Sequence, residues 1–566
     1  MLTAPLPTSV DQVRDWTWER FQPYVEELLA RPLDTHSVEG WLKDWSSLQA
    51  LLWEWDSRLQ VAVTIDTADA EAEAALERYV AEIIEPAMAG DQKLKEKLLA
   101  SGLCPSGFEV PLQRMANAAS LFRESNLPLI SEGILENKEY DTICGSRTAI
   151  WEGEEIPIEQ LKPLLQHRDR AVRERAWRMK MDRTLQDRDA LNALWTRMHR
   201  RRKQMATNAD LPDYRAFMWK ELSRFDYTPA DCEAFHQAIE AVVVPAAHRI
   251  LERRRELLAL DTIRPWDIEV DPYGQAPLAP FETGAELVAK SQSILDRVDP
   301  ELGGQFRIMA DEGLLDLESR KNKAPGGYCT DFYVVQRPFI FMNATGTHDD
   351  VQTLLHEAGH AFHAFASHKL PYQGQREFGS EIAEVASMGM ELLAAPYLEG
   401  SFYDAEEAAR ARIKHLETQI LFWPYMAVVD AFQHWAHTHP EGENPAACDA
   451  EWTRLWERFM KGIDDAGLED ARANGWQQKL HIFTVPFYYV EYGMAQLGAV
   501  QVWRNALADQ ADALRRYRGM LALGGSRTLP ELFEAAGARF AFDTETVQAC
   551  VELMENQIDS MLKTLR

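Results

Sequence analysis

The chain has 566 residues, 46% of them hydrophobic and 26% charged, as is typical of a globular protein with a sizeable core. Its 17 Trp, 16 Tyr and 23 Phe exclude disorder as the main state. The formal net charge of −29 makes nucleic acid and anionic membranes poor partners, since both would be repelled. The sequence predicts a cytoplasmic protein with reduced thiols. Its six cysteines are scattered, it has no uncharged apolar run of about 18 residues, and its N-terminus does not resemble a signal peptide.

The first half of the chain is predicted to be mostly helical. Residues 9–100 and 159–260 carry apolar side chains at helical spacing. Between them, residues 138–158 combine β-branched residues with turn signals and predict a small hairpin. The basic run Arg197–Lys203 is interpreted as a solvated helix face, with a contact to a substrate carboxylate or a second subunit as the alternative.

The second half contains a short interruption of the helical pattern. Residues 261–281 are rich in Pro and predict a connection or a surface flap. Tyr328–Val335 and Pro338–Asn343 predict two short strands, introduced by the flexible loop Lys323–Gly327. From residue 347 onward the pattern is helical again, so the predicted fold class is mainly α with a small β element before one helix.

That helix carries the clearest chemical signal in the sequence, THDDVQTLLHEAGHAFH. Thr347 and Asp350 resemble a capping box and predict that the helix begins there. His356 and His360 are then one turn apart on one face, where both imidazoles can bind a single zinc ion. Glu357 stands next to the first histidine and can act as general base on a water molecule. The pattern predicts one zinc ion per chain.

A catalytic zinc site usually needs a third protein ligand, and the residues alone leave its identity open. His363 lies about 10 Å along the helix axis from His356, which is too far to complete one tetrahedron, so a supporting or core role is expected for it. Four acidic residues follow on or near a second, mostly apolar helix, which Ser380 can cap. They are Glu377, Glu381, Glu384 and Glu391. One of them is expected to be the ligand, with its neighbours hydrogen-bonded around the site.

A second candidate segment is rich in aromatic residues. It contains His481, Tyr488, Tyr489 and Tyr492, and Pro486 predicts a helix start on which Tyr488 and Tyr492 share a face. An aromatic core stripe is one interpretation. The other is catalytic, because phenol and imidazole donors can stabilise the oxyanion that develops during peptide hydrolysis.

These segments resemble a known family. HEAGHAFH, AEVASMGME and the upstream stretch RPFIFMNATGTHDDVQTLLHE are similar to the oligoendopeptidase F branch of the thimet oligopeptidase family of zinc metallopeptidases. The resemblance covers roughly residues 115–566. It implies that Glu384 is the third zinc ligand, with Glu381 as runner-up. It also implies that His481 and one or more of the tyrosines bind the substrate and the oxyanion, with Tyr488 ranked first.

The resemblance further implies a large, nearly all-helical protein whose two halves enclose a deep channel. We expect an N-terminal helical region at 1–200, with the hairpin near 138–158, and a zincin-type catalytic region at 201–566. The expected partners are short, unstructured peptides, whose extended backbone can pair with the edge of the predicted strands. The sequence does not predict the oligomeric state.

The predicted function is therefore a zinc-dependent oligoendopeptidase that cleaves internal peptide bonds. One alternative is a zinc carboxypeptidase or dipeptidase on the same HExxH helix. Another is a non-enzymatic, helical peptide-binding protein with a structural zinc ion. An aminopeptidase of the gluzincin type is disfavoured, because position 379, where its glutamate ligand would stand, is Gly.

Overall fold

The computed structural model describes residues 2–320, 322–324 and 326–565. It is 69% helical and only 5% strand, which confirms the predicted mainly α fold with a small β element. Among the described residues, none of the helices combines the length and the apolar character that crossing a bilayer requires.

The helices of the described chain are listed here in chain order. The first are α1 Trp18–Ala30, α2 Val38–Ile65, α3 Ala70–Tyr79, α4 Glu85–Ser101, α5 Glu109–Leu121, α6 Leu127–Gly145, α7 Arg170–Leu185, α8 Arg188–Asn208, α9 Tyr214–Glu221, α10 Pro229–Ala238, α11 Val244–Leu257, α12 Gly284–Val298 and α13 Pro300–Asp311. The remainder are α14 His348–Ser367, α15 Gln373–Arg376, α16 Ser380–Ala394, α17 Ala405–Thr438, α18 Pro445–Phe459, α19 Glu469–Ala473, α20 Leu480–Thr484, α21 Tyr489–Ala508, α22 Gln510–Leu521, α23 Leu529–Ala535 and α24 Thr544–Thr564. The strands are β1 Thr148–Trp151, β2 Glu154–Pro157, β3 Leu315–Glu318, β4 Tyr328–Phe332 and β5 Arg337–Ala344.

The chain divides into two compact units, each built from three segments. The first unit comprises the residues up to Ser120 together with Leu278–Ala411 and Ala495–Phe540. The second comprises Leu121–Pro277, Arg412–Met494 and the residues from Ala541 onward. The predicted zinc helix therefore belongs to the first unit, and the aromatic segment with His481 belongs to the second.

In the first unit, a three-stranded sheet lies beside the zinc helix. Its strand order is β3-β5-β4, with β3 parallel and β4 antiparallel to β5. Strands β4 and β5 match the two predicted strands closely, whereas the four residues of β3 were not predicted. Helix α14 contributes Leu354, Leu355 and Phe362 to the core of this unit, and all three side chains are fully buried. The sheet and the core thus hold α14 on its apolar face, as its spacing requires.

In the second unit, the predicted hairpin is present but shorter than its sequence range. β1 and β2 pair antiparallel over Thr148–Pro157, whereas the residues up to Gly145 continue helix α6. Tyr140 of α6 is buried and stacks on Phe483, with 4.6 Å between the ring centroids. Residues 138–145 are therefore helical, although their β-branched side chains favour a strand. Their tertiary contacts outweigh this local propensity.

Candidate metal and catalytic site

Helix α14 begins where its capping pattern predicts. Asp350 Oδ2 accepts hydrogen bonds from the backbone nitrogens of Thr345 and Thr347, at 2.9 and 2.8 Å. The first helical residue is His348, directly after the N-cap Thr347. The helix start fixes the rotation of the helix about its axis, so the apolar residues face the core while His356 and His360 share the opposite, half-buried side.

Three side chains bring metal-binding atoms together at this site. They are His356 and His360 on α14 and Glu384 on α16, and one ligand atom from each lies within 4.8 Å of the others. Nε2 of His356 is 3.2 Å and Nε2 of His360 is 3.6 Å from Oε2 of Glu384. Two imidazoles and one carboxylate are the donor set of many catalytic zinc sites. The geometry thus groups the three ligands that the sequence and the resemblance predict.

Close contact between α14 and α16 makes this grouping possible. Gly359 lies in the middle of the HExxH pattern, where a Cβ atom would stand 2.6 Å from the carbonyl oxygen of Ala386 and 2.6 Å from Cα of Ser387. Any side chain at Gly359 would therefore push the two helices apart and separate the histidines from Glu384.

Hydrogen bonds from neighbouring groups orient these candidate ligands. Nδ1 of His356 donates to Oε1 of Glu391 at 2.6 Å, which leaves its Nε2 directed toward Glu384. The hydroxyl of Ser387 donates to Oε2 of Glu384 at 2.9 Å. Burial by itself would raise the pKa of Glu384, but His356 and His360 outweigh it and lower the pKa to about 2. Burial lowers the pKa of His360 to about 4, so this imidazole is neutral and can act as a ligand.

Glu357 has the environment of a general base. Its side chain is buried, and its Oε2 atom has no hydrogen-bond partner among the described residues. Burial raises the pKa of Glu357 to about 7, although its hydrogen bond from the backbone nitrogen of Cys329 on β4 acts in the opposite direction. A carboxyl group with a pKa near neutrality can accept and return a proton at physiological pH.

The remaining acids and His363 lie outside the group of ligand atoms. His363 is fully buried and stacks on Phe378, with 3.7 Å between ring centroids, and burial lowers its pKa to about 3. Glu381 is buried in the first turn of α16, and Glu377 caps the end of α15. Among the described residues, none of these three belongs to the group that His356, His360 and Glu384 form, in which the ligand atoms lie within 4.8 Å of one another. Glu391, in contrast, supports a ligand directly.

In the second unit, His481 and the three tyrosines form one cluster. The ring centroid of His481 is 4.8 Å from that of Tyr489, 5.9 Å from Tyr492 and 6.1 Å from Tyr488. Tyr489 is buried and its hydroxyl accepts a hydrogen bond from Lys479 at 2.9 Å, whereas Tyr488 and Tyr492 are half-buried. Burial lowers the pKa of His481 to about 4, so its ring is neutral. The predicted juxtaposition of these side chains is present.

The predicted helix start at Pro486 is wrong. Helix α21 begins at Tyr489, and Phe487 just before it has a φ of 67°, in the left-handed region. Tyr488 therefore lies outside the helix, yet its ring centroid is still 5.1 Å from that of Tyr492. The backbone nitrogen of Phe487 donates to Oε1 of Gln433 at 2.7 Å, which stabilises this unusual conformation.

Two buried arginines hold the backbone between His481 and Tyr488, and sequence reasoning missed both. Arg202 donates to the carbonyl oxygens of Ile482, at 3.1 Å, and Phe483. Arg224 donates to the carbonyl oxygen of Phe487 and forms an ion pair with Glu491 at 2.7 Å.

For Arg202, the interpretation of the basic run as a solvated face is wrong. Its side chain is only 2% exposed, because helix α8 packs this side against the core. The buried Met198 and Met205, at helical spacing on either side, were the available sequence signal.

Comparison with known proteins places the chain in a family. The sequence model of peptidase family M3 matches residues 163–552, more than two thirds of the chain. Oligopeptidase PepF of Bacillus subtilis (strain 168) is 22% identical over 57% of this chain and 48% of its own length. An oligoendopeptidase F homolog of Lactococcus lactis subsp. lactis (strain IL1403) is 23% identical over 58% of this chain and 53% of its own. The chain thus spans about half the length of the curated relatives it matches.

A solved structure is similar over nearly the whole chain. The structure of PZ peptidase A with inhibitor 2 matches with a TM-score of 0.89 and 25% identity, over 96% of this chain and 98% of that chain. The match extends beyond the segments with the clearest motifs, so the fold of both units is shared. The family match and the structural likeness agree with the predicted resemblance: this chain belongs to peptidase family M3.

Proposed function

We propose that the protein is a zinc-dependent oligoendopeptidase that hydrolyses internal bonds of short, unstructured peptides. One observation carries the proposal: His356, His360 and Glu384 converge beside Glu357, a buried carboxyl group with an unpartnered oxygen atom. The names of the curated relatives support an action on oligopeptides.

The donor set fits zinc. Two imidazoles and one carboxylate are present, and Glu391 engages Nδ1 of His356 so that Nε2 faces Glu384. Burial by itself would lower the pKa of His356, but hydrogen bonds to Glu384 and Glu391 outweigh it and raise this pKa well above its ordinary value, so metal binding there displaces a proton. Among the described residues the group has three donors, which is the number typical of catalytic sites, whereas structural sites usually have four. When bound there, zinc acts as a Lewis acid that polarises the scissile carbonyl group and makes water more acidic.

Glu357 supplies the proton transfers. Its carboxylate accepts a proton from the attacking water and then passes it to the leaving amine. The unpartnered Oε2 atom is available for this task, while the amide of Cys329 holds the carboxyl group in place. The peptide bond breaks by addition of the elements of water, so Glu357 ends the cycle in its starting state.

His481 and the tyrosine cluster stabilise the oxyanion or hold the substrate backbone. A phenol hydroxyl donates a hydrogen bond at any pH below its own pKa, and a neutral imidazole donates from one ring nitrogen. The half-buried Tyr488 and Tyr492 keep part of their rings accessible. The buried Tyr489, tied to Lys479, is suited to positioning the other two.

The edge strand β4 is suited to binding an extended peptide. Among the described residues, β4 pairs with another strand on one side alone, and Gly327 precedes it. An extended substrate can add to such an edge through backbone hydrogen bonds, largely independently of its sequence. A cytoplasmic location remains part of the proposal and is supported by the six cysteines, none of which is joined to another in a disulfide among the described residues.

Cleavage of an internally quenched peptide that is blocked at both ends tests the proposal. An oligoendopeptidase should cleave it, and chelation should abolish the activity until zinc is restored. A carboxypeptidase or dipeptidase would require a free terminus and leave this substrate intact. A peptide-binding protein with a structural zinc ion would bind the peptide without cleaving it.

A further inference from the structure

Two helices of the second unit each present a pair of metal-binding residues at a spacing of four. Helix α10 carries Cys232 and His236, and helix α17 carries Asp430 and His434. Residues four apart lie one turn apart on the same side of a helix. This is the spacing that also places His356 and His360 together, but here each helix supplies half of the group.

The two pairs meet in the interior. One ligand atom from each of Cys232, Asp430 and His434 lies within 4.8 Å of the others, and all three residues are buried. Nε2 of His434 is 3.3 Å from Oδ2 of Asp430. In a tetrahedral zinc site with bonds of about 2.0–2.1 Å, neighbouring nitrogen and oxygen ligands are about 3.3 Å apart. The spacing is therefore that of two ligands of one small cation.

One atom of this group has unsatisfied hydrogen-bonding capacity. Oδ1 of Asp430 is buried and has no hydrogen-bond partner among the described residues. Asp430 is fully buried, and its Oδ2 atom accepts a hydrogen bond from Nε2 of His236 at 2.8 Å. Leaving buried polar atoms without partners is costly, and such atoms in a native protein indicate an unseen ligand or ion.

We propose that Cys232, Asp430 and His434 bind a second divalent metal ion of the zinc class. A thiolate together with an imidazole selects a borderline-soft cation such as zinc, and disfavours magnesium and calcium. His236 lies outside the group of three and orients Asp430 through its hydrogen bond, as partners of metal-bound carboxylates commonly do. Oδ2 of Asp430, 3.3 Å from Nε2 of His434, is the ligand atom that the spacing indicates, and Oδ1 is a second oxygen atom available to the ion.

The surroundings argue against a catalytic role for this ion. The ring of His434 lies 5.5 Å from that of Trp219 and 5.5 Å from that of Phe487, centroid to centroid. The ring of His236 lies 6.4 Å from that of Phe459. Aromatic rings on these sides limit the access of a substrate. The ion would instead join α10 to α17 close to Phe487, which precedes Tyr488.

Arg215 gives the site a second testable property. Its Nη1 atom is 3.3 Å from Nδ1 of His434, so this ring nitrogen acts as acceptor and the neutral ring carries its proton on Nε2. Binding a cation at Nε2 requires the proton on Nδ1, and the guanidinium group must then move away. Glu233, already 4.0 Å from Nη1 of Arg215, can receive it. Removal of this arginine should therefore strengthen metal binding.

The test separates this site from the proposed catalytic one. The double variant His356→Ala/His360→Ala lacks two ligands of the first site and serves as background. After dialysis against zinc and then buffer, elemental analysis should find one zinc ion per chain in this background and two in the wild-type protein. Adding Cys232→Ser to this background should abolish binding of the one remaining zinc ion. The control is Cys448→Ser, which changes another buried cysteine of the same unit outside the group and should keep it.

A background variant without bound zinc would overturn the proposal, as would a Cys232→Ser variant that retains the full equivalent. A spectroscopic measurement avoids dependence on folding of the cysteine variant. Cobalt in the background variant should give the charge-transfer absorption of a thiolate ligand, and its absence from a cobalt-loaded protein would equally refute the site. Arg215→Gln in the background should lower the zinc dissociation constant several-fold, and a weaker affinity would contradict the assigned role of His434. Failure of the wild-type protein to cleave peptides would leave these results unaffected.

Discussion

Glu357→Gln is expected to inactivate the enzyme while stabilising its metal-free form. Glutamine has nearly the same shape as glutamate but cannot accept a proton from water. Turnover should therefore fall by about 10²–10⁴, the contribution of a positioned general base. The zinc content should stay at the wild-type level, because His356, His360 and Glu384 are unchanged.

The effect on stability follows from the pKa of Glu357. Burial raises this pKa from 4.5 to about 7, a difference that corresponds to about 3 kcal/mol. Because the folded-state pKa is raised, this carboxyl group contributes its full stability below its ordinary pKa, and the contribution is lost as the pH rises through about 7. A glutamine does not titrate. At pH 8 the metal-free Glu357→Gln variant should therefore be more stable than the metal-free wild-type protein, by up to about 3 kcal/mol.

Urea unfolding of both metal-free proteins at pH 5 and pH 8, together with kcat for a blocked quenched peptide, measures the two effects. The advantage of the variant should be large at pH 8 and small at pH 5. Glu384→Gln is the matched control, since the pKa of Glu384 is lowered to about 2. That change should weaken zinc binding and lower stability at pH 8. Wild-type turnover in Glu357→Gln, or an equal stability difference at both pH values, would refute the assignment.

Three further predictions concern ligand support, oxyanion donors and substrate size. Glu391→Gln should weaken zinc affinity by about 10–100-fold, as measured by competition with a chelator, because the acceptor that orients His356 loses its negative charge; unchanged affinity would contradict this role. Of the single variants Tyr488→Phe, Tyr489→Phe and Tyr492→Phe, at least one, with Tyr488 ranked first, should lose about 10²-fold in kcat with little change in KM. His481→Ala should also be impaired, and full activity in all four would identify the cluster as an aromatic core. Short peptides should be cleaved while a folded globular protein resists, as followed by mass spectrometry; rapid cleavage of the folded protein would exclude the proposed substrate class.

The zinc helix could be predicted from the sequence because its determinants are local. The capping pair at Thr347 and Asp350, the apolar stripe and the two histidines all lie within one helix, whose geometry is fixed by 3.6 residues per turn. The third ligand could not be predicted in this way. Four acids follow at similar spacings, and only the contact between α14 and α16 at Gly359 separates Glu384 from its neighbours.

The aromatic segment shows the opposite case. Its residues could be named from the sequence, but its backbone could not, because the conformation of Phe487 depends on contacts from distant elements. Gln433 on α17 binds its backbone nitrogen, and Arg224, in the loop between α9 and α10, binds its carbonyl oxygen. Arg202 gave a misleading signal, since a buried arginine in a basic run resembles its solvated neighbours unless the flanking apolar residues are considered.

The group of Cys232, Asp430 and His434 extends the same reasoning. The sequence shows cysteines without CxxC pairs, which argues against a local zinc motif and says nothing about pairs on different helices. Each helix supplies one half of the proposed site, and neither half is unusual by itself. The halves are Cys232 with His236, and Asp430 with His434. What distinguishes them is that both pairs lie on the buried side of their helices, where an ionisable side chain needs a partner. A pair of metal-binding residues at a spacing of four on the buried side of a helix is therefore worth treating as half a site, whose other half must be sought elsewhere in the chain.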